Sequence, residues 1–260
     1  SSRGPASDGR LKPDIAAVGS SVFSTSDPNT YVVKSGTSMS SPGTAGTAAV
    51  LYQAMRDKNS GNDPESGLLK AIMQNSADDL GQPGPDFLYG YGRLNARRAY
   101  KIINNQNYFI DSVTDGNSKS FQIVAPANTA QVKIMLYWPD LPASTSAARA
   151  IVNDLDLEVL HGGTTLLPWV LDPTPNPANL NSPAVQARDS LNNMEQVTIT
   201  NPSGNIDINV TGFNVPGMGQ KFYVVYEFIE DEVILTYPLG GEGFVPGETE
   251  YIRWDAPSDA

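Results

Sequence analysis

Cysteine is absent from these 260 residues, so no disulfide closes a loop and the fold must be held by burial and hydrogen bonding. Histidine occurs once, at position 161, and together with the missing cysteine this excludes every zinc site of Cys/His spacing. No apolar run approaches the ~20 residues that a membrane-spanning helix needs. Positive charge is scarce as well: 17 Lys and Arg stand against 28 Asp and Glu, a formal net of -11, which argues against nucleic acid as a partner.

The charge that is present is unevenly spread. Residues 1–105 carry 11 basic against 9 acidic side chains, residues 106–232 carry 5 against 14, and residues 233–260 carry 1 against 5. The acidity therefore belongs to the second half, which marks a boundary near residue 105. The hydrophobic period changes at the same place. Before it, Asp63-Pro64 offers a cap and a proline for a first helical turn, and Leu68, Leu69, Ile72 and Met73 recur at helical spacing until Gly81 and Pro83. A further helix is predicted from about Asn95 to Asn104.

After the boundary the chain alternates with period two. Val132, Ile134 and Leu136 face one way. So do Leu155, Leu157 and Val159 against Asp154, Asp156 and Glu158, and Ile206, Ile208 and Val210 against Asp207, Asn209 and Thr211. These read as half-buried antiparallel strands. Further strands are expected at 108–113, 120–125, 165–171, 195–200 and 221–228, parted by turn signals such as Asp115-Gly116-Asn117 and His161-Gly162-Gly163. Eight short strands punctuated in this way predict an antiparallel sandwich of jelly-roll type.

The most pointed chemistry lies at Gly36-Thr37-Ser38-Met39-Ser40-Ser41-Pro42, followed by the small-residue run Gly43 to Val50. It sets one serine at the mouth of a helix whose small side chains allow close approach of neighbouring backbone. Pro42 suits a first helical turn, where its missing N–H would have no intrahelical partner. An oxyanion formed beside Ser38 would meet the free N–H groups of that turn. A capping role for Ser38 is the bland alternative. The nucleophile elbow G-x-S-x-G fails here, because Ser40 stands where the second glycine belongs.

This segment resembles the serine motif of the subtilisin-like serine proteases, the subtilases. The resemblance runs upstream through Ser1-Ser2-Arg3-Gly4-Pro5 and Asp8 to Gly19, and downstream to Gly90-Tyr91-Gly92-Arg93-Leu94-Asn95-Ala96, covering residues 1–103. It implies acyl transfer at a peptide carbonyl, with Ser38 as nucleophile and Thr37 beside the oxyanion. It also demands a histidine base, an aspartate and an oxyanion asparagine, and the acid and base precede the serine in this family. Nothing before Ser38 supplies them, and His161, far downstream in a turn context, stands in the wrong order. The chain is therefore expected to begin partway through a catalytic domain and to be inactive alone, its partners being the N-terminal remainder of that domain and protein or peptide substrates. At Gly43 the sequence departs from the commonest family pattern.

Residues 150–228 resemble the sandwich that follows the catalytic domain in several bacterial subtilases and is similar in placement to the P domain of kexin-type convertases. Val152-Asn153-Asp154-Leu155-Asp156-Leu157, Asp189 to Val197 and Asn214-Val215-Pro216 carry it. The resemblance implies a secreted bacterial protein whose sandwich docks on the catalytic part and stabilises it. Asp154, Asp156, Asp172, Asp189 and Asn193 are hard oxygen ligands of the kind calcium takes in sets of six to eight, so calcium is the expected ion; alternatively Asp156 and Glu158 are the solvated face of a strand. Past residue 230, Val233–Gly241 and Gly247–Trp254 resemble the opening strands of an immunoglobulin-like or fibronectin type III module.

The expected fold is thus mixed: residues 1–105 the C-terminal part of a subtilisin-like α/β domain, truncated; 106–229 an all-β antiparallel jelly-roll sandwich; 230–260 a linker and the start of a third module. The expected function is that of a serine endopeptidase. The alternative is a non-catalytic chain acting as a binding or stabilising sandwich module.

Overall fold

The structure, a computed structural model, describes residues 2–255; Ser1 of the first motif and residues 256–260 of the third segment lie outside them. The chain opens with an extended segment and a hairpin of β1 (Val22–Ser26) and β2 (Thr30–Lys34) that hydrophobic periodicity did not announce. Phe23 and Tyr31 stack across it with ring centroids 5.2 Å apart, and both are exposed. Three helices follow: α1 (Thr37–Lys58), α2 (Ser66–Asn75) and α3 (Ala96–Asn105).

Two helix starts differ from the sequence expectation. Because α1 begins at Thr37, Pro42 is an interior residue rather than part of the first turn. Its missing N–H leaves the carbonyl of Ser38, four residues earlier, without the usual helical donor. Helix α2 begins at Ser66 rather than behind Asp63-Pro64. Asp63 is drawn instead to Arg56 at 3.3 Å, and the Glu65 carboxylate accepts from Lys221 and Tyr223. The helix expected from about Asn95 is α3, and Asn95 caps it: its side chain accepts from the Arg98 N–H at 3.0 Å, satisfying one of the free donors of a helix start.

The second half is built from β3 (Tyr108–Val113), β4 (Ser118–Ala125), β5 (Thr129–Tyr137), β6 (Asp154–His161), β7 (Thr164–Leu166), β8 (Trp169–Val170), the short α4 (Pro177–Leu180), β9 (Val185–Gln186), β10 (Met194–Thr200), β11 (Gly204–Asn214) and β12 (Gln220–Glu230). Two four-stranded antiparallel sheets result, in the orders β10-β5-β12-β3 and β4-β11-β6-β7, with β8 paired to β9 apart from them. The single strand expected at 165–171 is broken into β7 and β8 around Leu167-Pro168, since proline cannot donate to a ladder. Ile134, Leu136, Leu155, Leu157, Ile206, Ile208, Phe222 and Val224 from both sheets share one core.

Strand β5 corrects the half-buried reading. Val132, Ile134 and Leu136 point into the sandwich as expected, but Met135 and Tyr137 on the opposite face are buried too. They belong to a second core with Tyr223 and Val225 of β12, Leu51 and Met55 of α1, Leu68, Leu69 and Ile72 of α2 and Ile102 and Ile103 of α3. The helices thus lie on the outer face of one sheet. Beyond the sandwich, β13 (Ile234–Tyr237) and β14 (Arg253–Asp255) pair antiparallel, leaving Leu239, Val245 and Tyr251 exposed. Among the described residues no helix is long and apolar enough to cross a membrane.

Candidate active site

Ser38 is the second residue of α1, exposed, and its hydroxyl makes no hydrogen bond among the described residues. It does not cap the helix. That position is Gly36, at φ 153° and ψ 166°, a positive φ that glycine adopts without a Cβ penalty, and no side chain caps the turn. Gly36 donates to the Gly19 carbonyl at 2.7 Å and accepts from Met39 N–H at 3.0 Å. A Cβ on Gly19 would stand 2.7 Å from the Gly36 oxygen and 3.1 Å from the Ser40 Cβ, so these two segments meet too closely for any side chain between them. Behind Ser38, the Ser40 hydroxyl donates to the Thr37 carbonyl at 3.1 Å.

The first turn of α1 contains no acidic residue. Its leading N–H groups and the positive end of the helix dipole therefore face the position of Ser38 and Thr37 without an internal carboxylate to satisfy them. That is an environment suited to a developing negative charge on oxygen. A cleft of about 780 Å³ runs beside the turn, lined by Ile15, Ala17, Gly19, Gly36, Thr37 and Ser40 among others. Asp14, at its edge, is engaged by Lys12 at 2.8 Å.

His161 is not brought to this site. It ends β6, in the sheet remote from the helices, and its Nδ1 lies 3.3 Å from the Asn205 carbonyl oxygen. No imidazole therefore stands near Ser38 in this chain.

The five calcium candidates are only partly assembled. Asp154, Asp156 and Asp189 lie near enough to influence one another's ionisation, whereas Asp172 is occupied on an exposed loop by Thr174 N–H and the Asn179 amide. Asn193 donates its amide to the Trp138 carbonyl at 2.8 Å. Asp156 is not a solvated strand residue: it is buried and paired with Arg188, which also holds Glu158. Burial, then the charges of Asp156 and Asp189, push the Asp154 carboxyl up to about 6. Glu195, by type a further hard oxygen ligand and the first residue of an expected strand, is buried among them. Burial first and Asp189 second hold its carboxyl well above the usual range. Among the described residues no group of three His, Cys, Asp or Glu is placed to hold a metal ion. Three buried oxygens in this region, Asn153 Oδ1, Asp154 Oδ1 and Glu195 Oε1, accept no hydrogen bond.

Residues 1–92 match the family model described as the Subtilase family. Over 113 residues the chain is 34% identical to the serine protease AprX of Bacillus subtilis, a match covering 38% of this chain and 24% of that protein. Over 58 residues it is 50% identical to a PII-type proteinase of Lactococcus lactis, covering 22% of this chain and 3% of the relative. The match to the serine protease/ABC transporter B family protein tagA of Dictyostelium discoideum is weaker in identity, 24%, but spans 85% of this chain and 15% of that protein. The chain thus spans no more than a quarter of the length of these relatives. Over residues 1–92 the chain is similar to the Subtilase family.

Proposed function

We propose that this chain is the serine-bearing part of a secreted serine endopeptidase, in which Ser38 attacks the carbonyl carbon of a peptide bond in a protein or peptide substrate. The carrying observation is the free, exposed hydroxyl of Ser38 at the start of an uncompensated helix, inside the segment that matches the Subtilase family. In this reading the Ser38 hydroxyl proton passes to a histidine supplied by the N-terminal remainder of the domain, oriented by an aspartate from the same remainder. The new carbonyl oxyanion lies against the first N–H groups of α1, next to Thr37. A serine without a positioned base is a weak nucleophile, so the 260-residue chain by itself does not turn over substrate.

The sandwich then serves as a docked, stabilising module. Its strand order, β10-β5-β12-β3 over β4-β11-β6-β7, supports a jelly-roll reading, and the pair β13 and β14 supports the start of a third β module. Calcium on the sandwich is a further proposal, supported by the three unpartnered buried oxygens beside Asp156 and Asp189. Titrating the chain with calcium in a calorimeter tests it: heat of binding lost in Asp154→Ala upholds the ion, and no heat removes it.

A fluorophosphonate probe tests the central reading. Applied to a longer form that carries the upstream remainder, it should label Ser38 and abolish peptidase activity, while the 260-residue chain stays unlabelled. Labelling elsewhere, or a longer form without peptidase activity, favours the alternative of a binding and stabilising module.

A further inference from the structure

We infer that Asn192, a residue of the sandwich, is a positioning residue for the Ser38 segment; its catalytic consequence rests on the reading of Ser38 given above. The turn that carries it is preformed. Asp189 is buried, its Oδ1 accepts from the N–H groups of Leu191 and Asn192 at 2.7 and 3.0 Å, and its Oδ2 accepts from the Asn192 side-chain amide at 2.7 Å. With its nitrogen fixed in this way, the Asn192 amide has one outlet for its oxygen. That oxygen leaves the sandwich and accepts from the Leu11 N–H at 2.8 Å.

Two residues later the same turn takes a second hold. The Met194 carbonyl accepts from the Tyr91 hydroxyl at 3.1 Å, and Tyr91 is buried. The two segments so gripped are stitched to each other, Tyr91 N–H to the Asp14 carbonyl at 3.2 Å, Ala16 N–H to Gly92 at 2.9 Å and Leu94 N–H to Ala16 at 2.8 Å. Three residues on from Ala16 comes Gly19, whose carbonyl receives Gly36 N–H and whose backbone has no slack against Ser40. Gly36 caps the helix on which Ser38 is the second residue. A shift of Leu11 or Tyr91 is therefore passed through short, direct bonds to the turn that aims the Ser38 hydroxyl. A bond that merely stabilised the sandwich would not need to cross to this segment.

Hydrogen exchange on the 260-residue chain tests the coupling without any activity. Asn192→Leu and Tyr91→Phe, which each remove one hold, should accelerate exchange of the amides at 14–20 and of Gly36 by about tenfold, leaving those of β5 and β12 unchanged. Asp115→Ala is the comparison, since its Oδ1 accepts from Val215 N–H at 2.8 Å within the sandwich; it should leave Gly36 as it was. In the longer form, the rate of Ser38 labelling should fall about tenfold in the first two variants and not in the third, at a temperature where all are folded. Unchanged exchange at 14–36, or an acceleration spread evenly over the chain, overturns the inference. Absence of Ser38 labelling in the unmodified longer form instead overturns the reading of Ser38, and leaves the exchange result to decide the coupling.

Discussion

Arg98 grips the Glu227 carboxylate with both ends of its guanidinium fork, Nε to Oε1 at 2.8 Å and Nη2 to Oε2 at 2.7 Å, across the seam between α3 and β12. Its remaining nitrogen reaches Asp78 at 3.1 Å. Glu227 is buried, so the pair is desolvated and its geometry decides whether it is tolerated.

Replacing one partner should therefore cost more than replacing both. Arg98→Leu leaves a buried carboxylate without its fork and is expected to lower stability by about 3 kcal/mol. The double variant Arg98→Leu with Glu227→Leu should recover much of that loss. Urea denaturation midpoints of the two variants and the unmodified chain give the comparison directly.

Lys133 sets a pH dependence. It is buried on β5, donates from Nζ to the Ala77 carbonyl at 2.7 Å, and lies opposite Glu227. Burial, then the charge of Arg98, pulls its ammonium down to about 8. The folded chain then binds fewer protons than the unfolded chain between about pH 8 and the ordinary lysine value of 10.5. Stability contributed by this residue should rise with pH through that window. The variant Lys133→Met should lack the rise, as read by the melting temperature relative to the unmodified chain at pH 7.5 and pH 9.5.

Glycines at two motif positions should respond in opposite directions. Gly92 has φ +113°, and a Cβ there would overlap the Asp78 carbonyl, so Gly92→Ala is expected to cost more than about 3 kcal/mol. Gly43 lies inside α1 with open space around it. In this chain Gly43→Ala should raise stability by about 1 kcal/mol through helix propensity. Thermal unfolding of both variants checks the signs.

Ser38→Ala should leave the stability of the chain within about 0.5 kcal/mol, because the hydroxyl is exposed and bonds to nothing described. Asn95→Ala, which removes a real cap, should cost about 1 kcal/mol. Equal losses in the two would restore a capping role for Ser38.

The parts of this molecule that the sequence disclosed are those ruled by local chemistry. The helix expected from about Asn95 to Asn104 is α3, and the alternation at Ile206, Ile208 and Val210 places three residues in one core. The Ser38 motif needed no tertiary knowledge to be found, because its glycine, serine and small residues are contiguous. What escaped depended on distant partners. Met135 and Tyr137 look like the outward side of a strand until helices cover them. Asp63 loses its capping place to an attraction from Arg56. Asp172, alike in type to Asp154 and Asp189, is set apart by a loop whose path no spacing rule specifies. The hold of Asn192 on Leu11 joins residues 181 positions apart.

The second apolar side of β5 and β12 bears on how this protein can be handled. Composition and period both change near residue 105, which invites cutting there to isolate the sandwich. A fragment starting at that point would present Met135, Tyr137, Tyr223 and Val225 to water as one broad greasy plate, stripped of Leu68, Ile72 and Ile103. Such a plate would cling to another of its kind, or to a chaperone. What separates the two parts in the sequence is thus a joint glued along its whole width, and a longer insert at residue 105 would be tolerated far better than a cut.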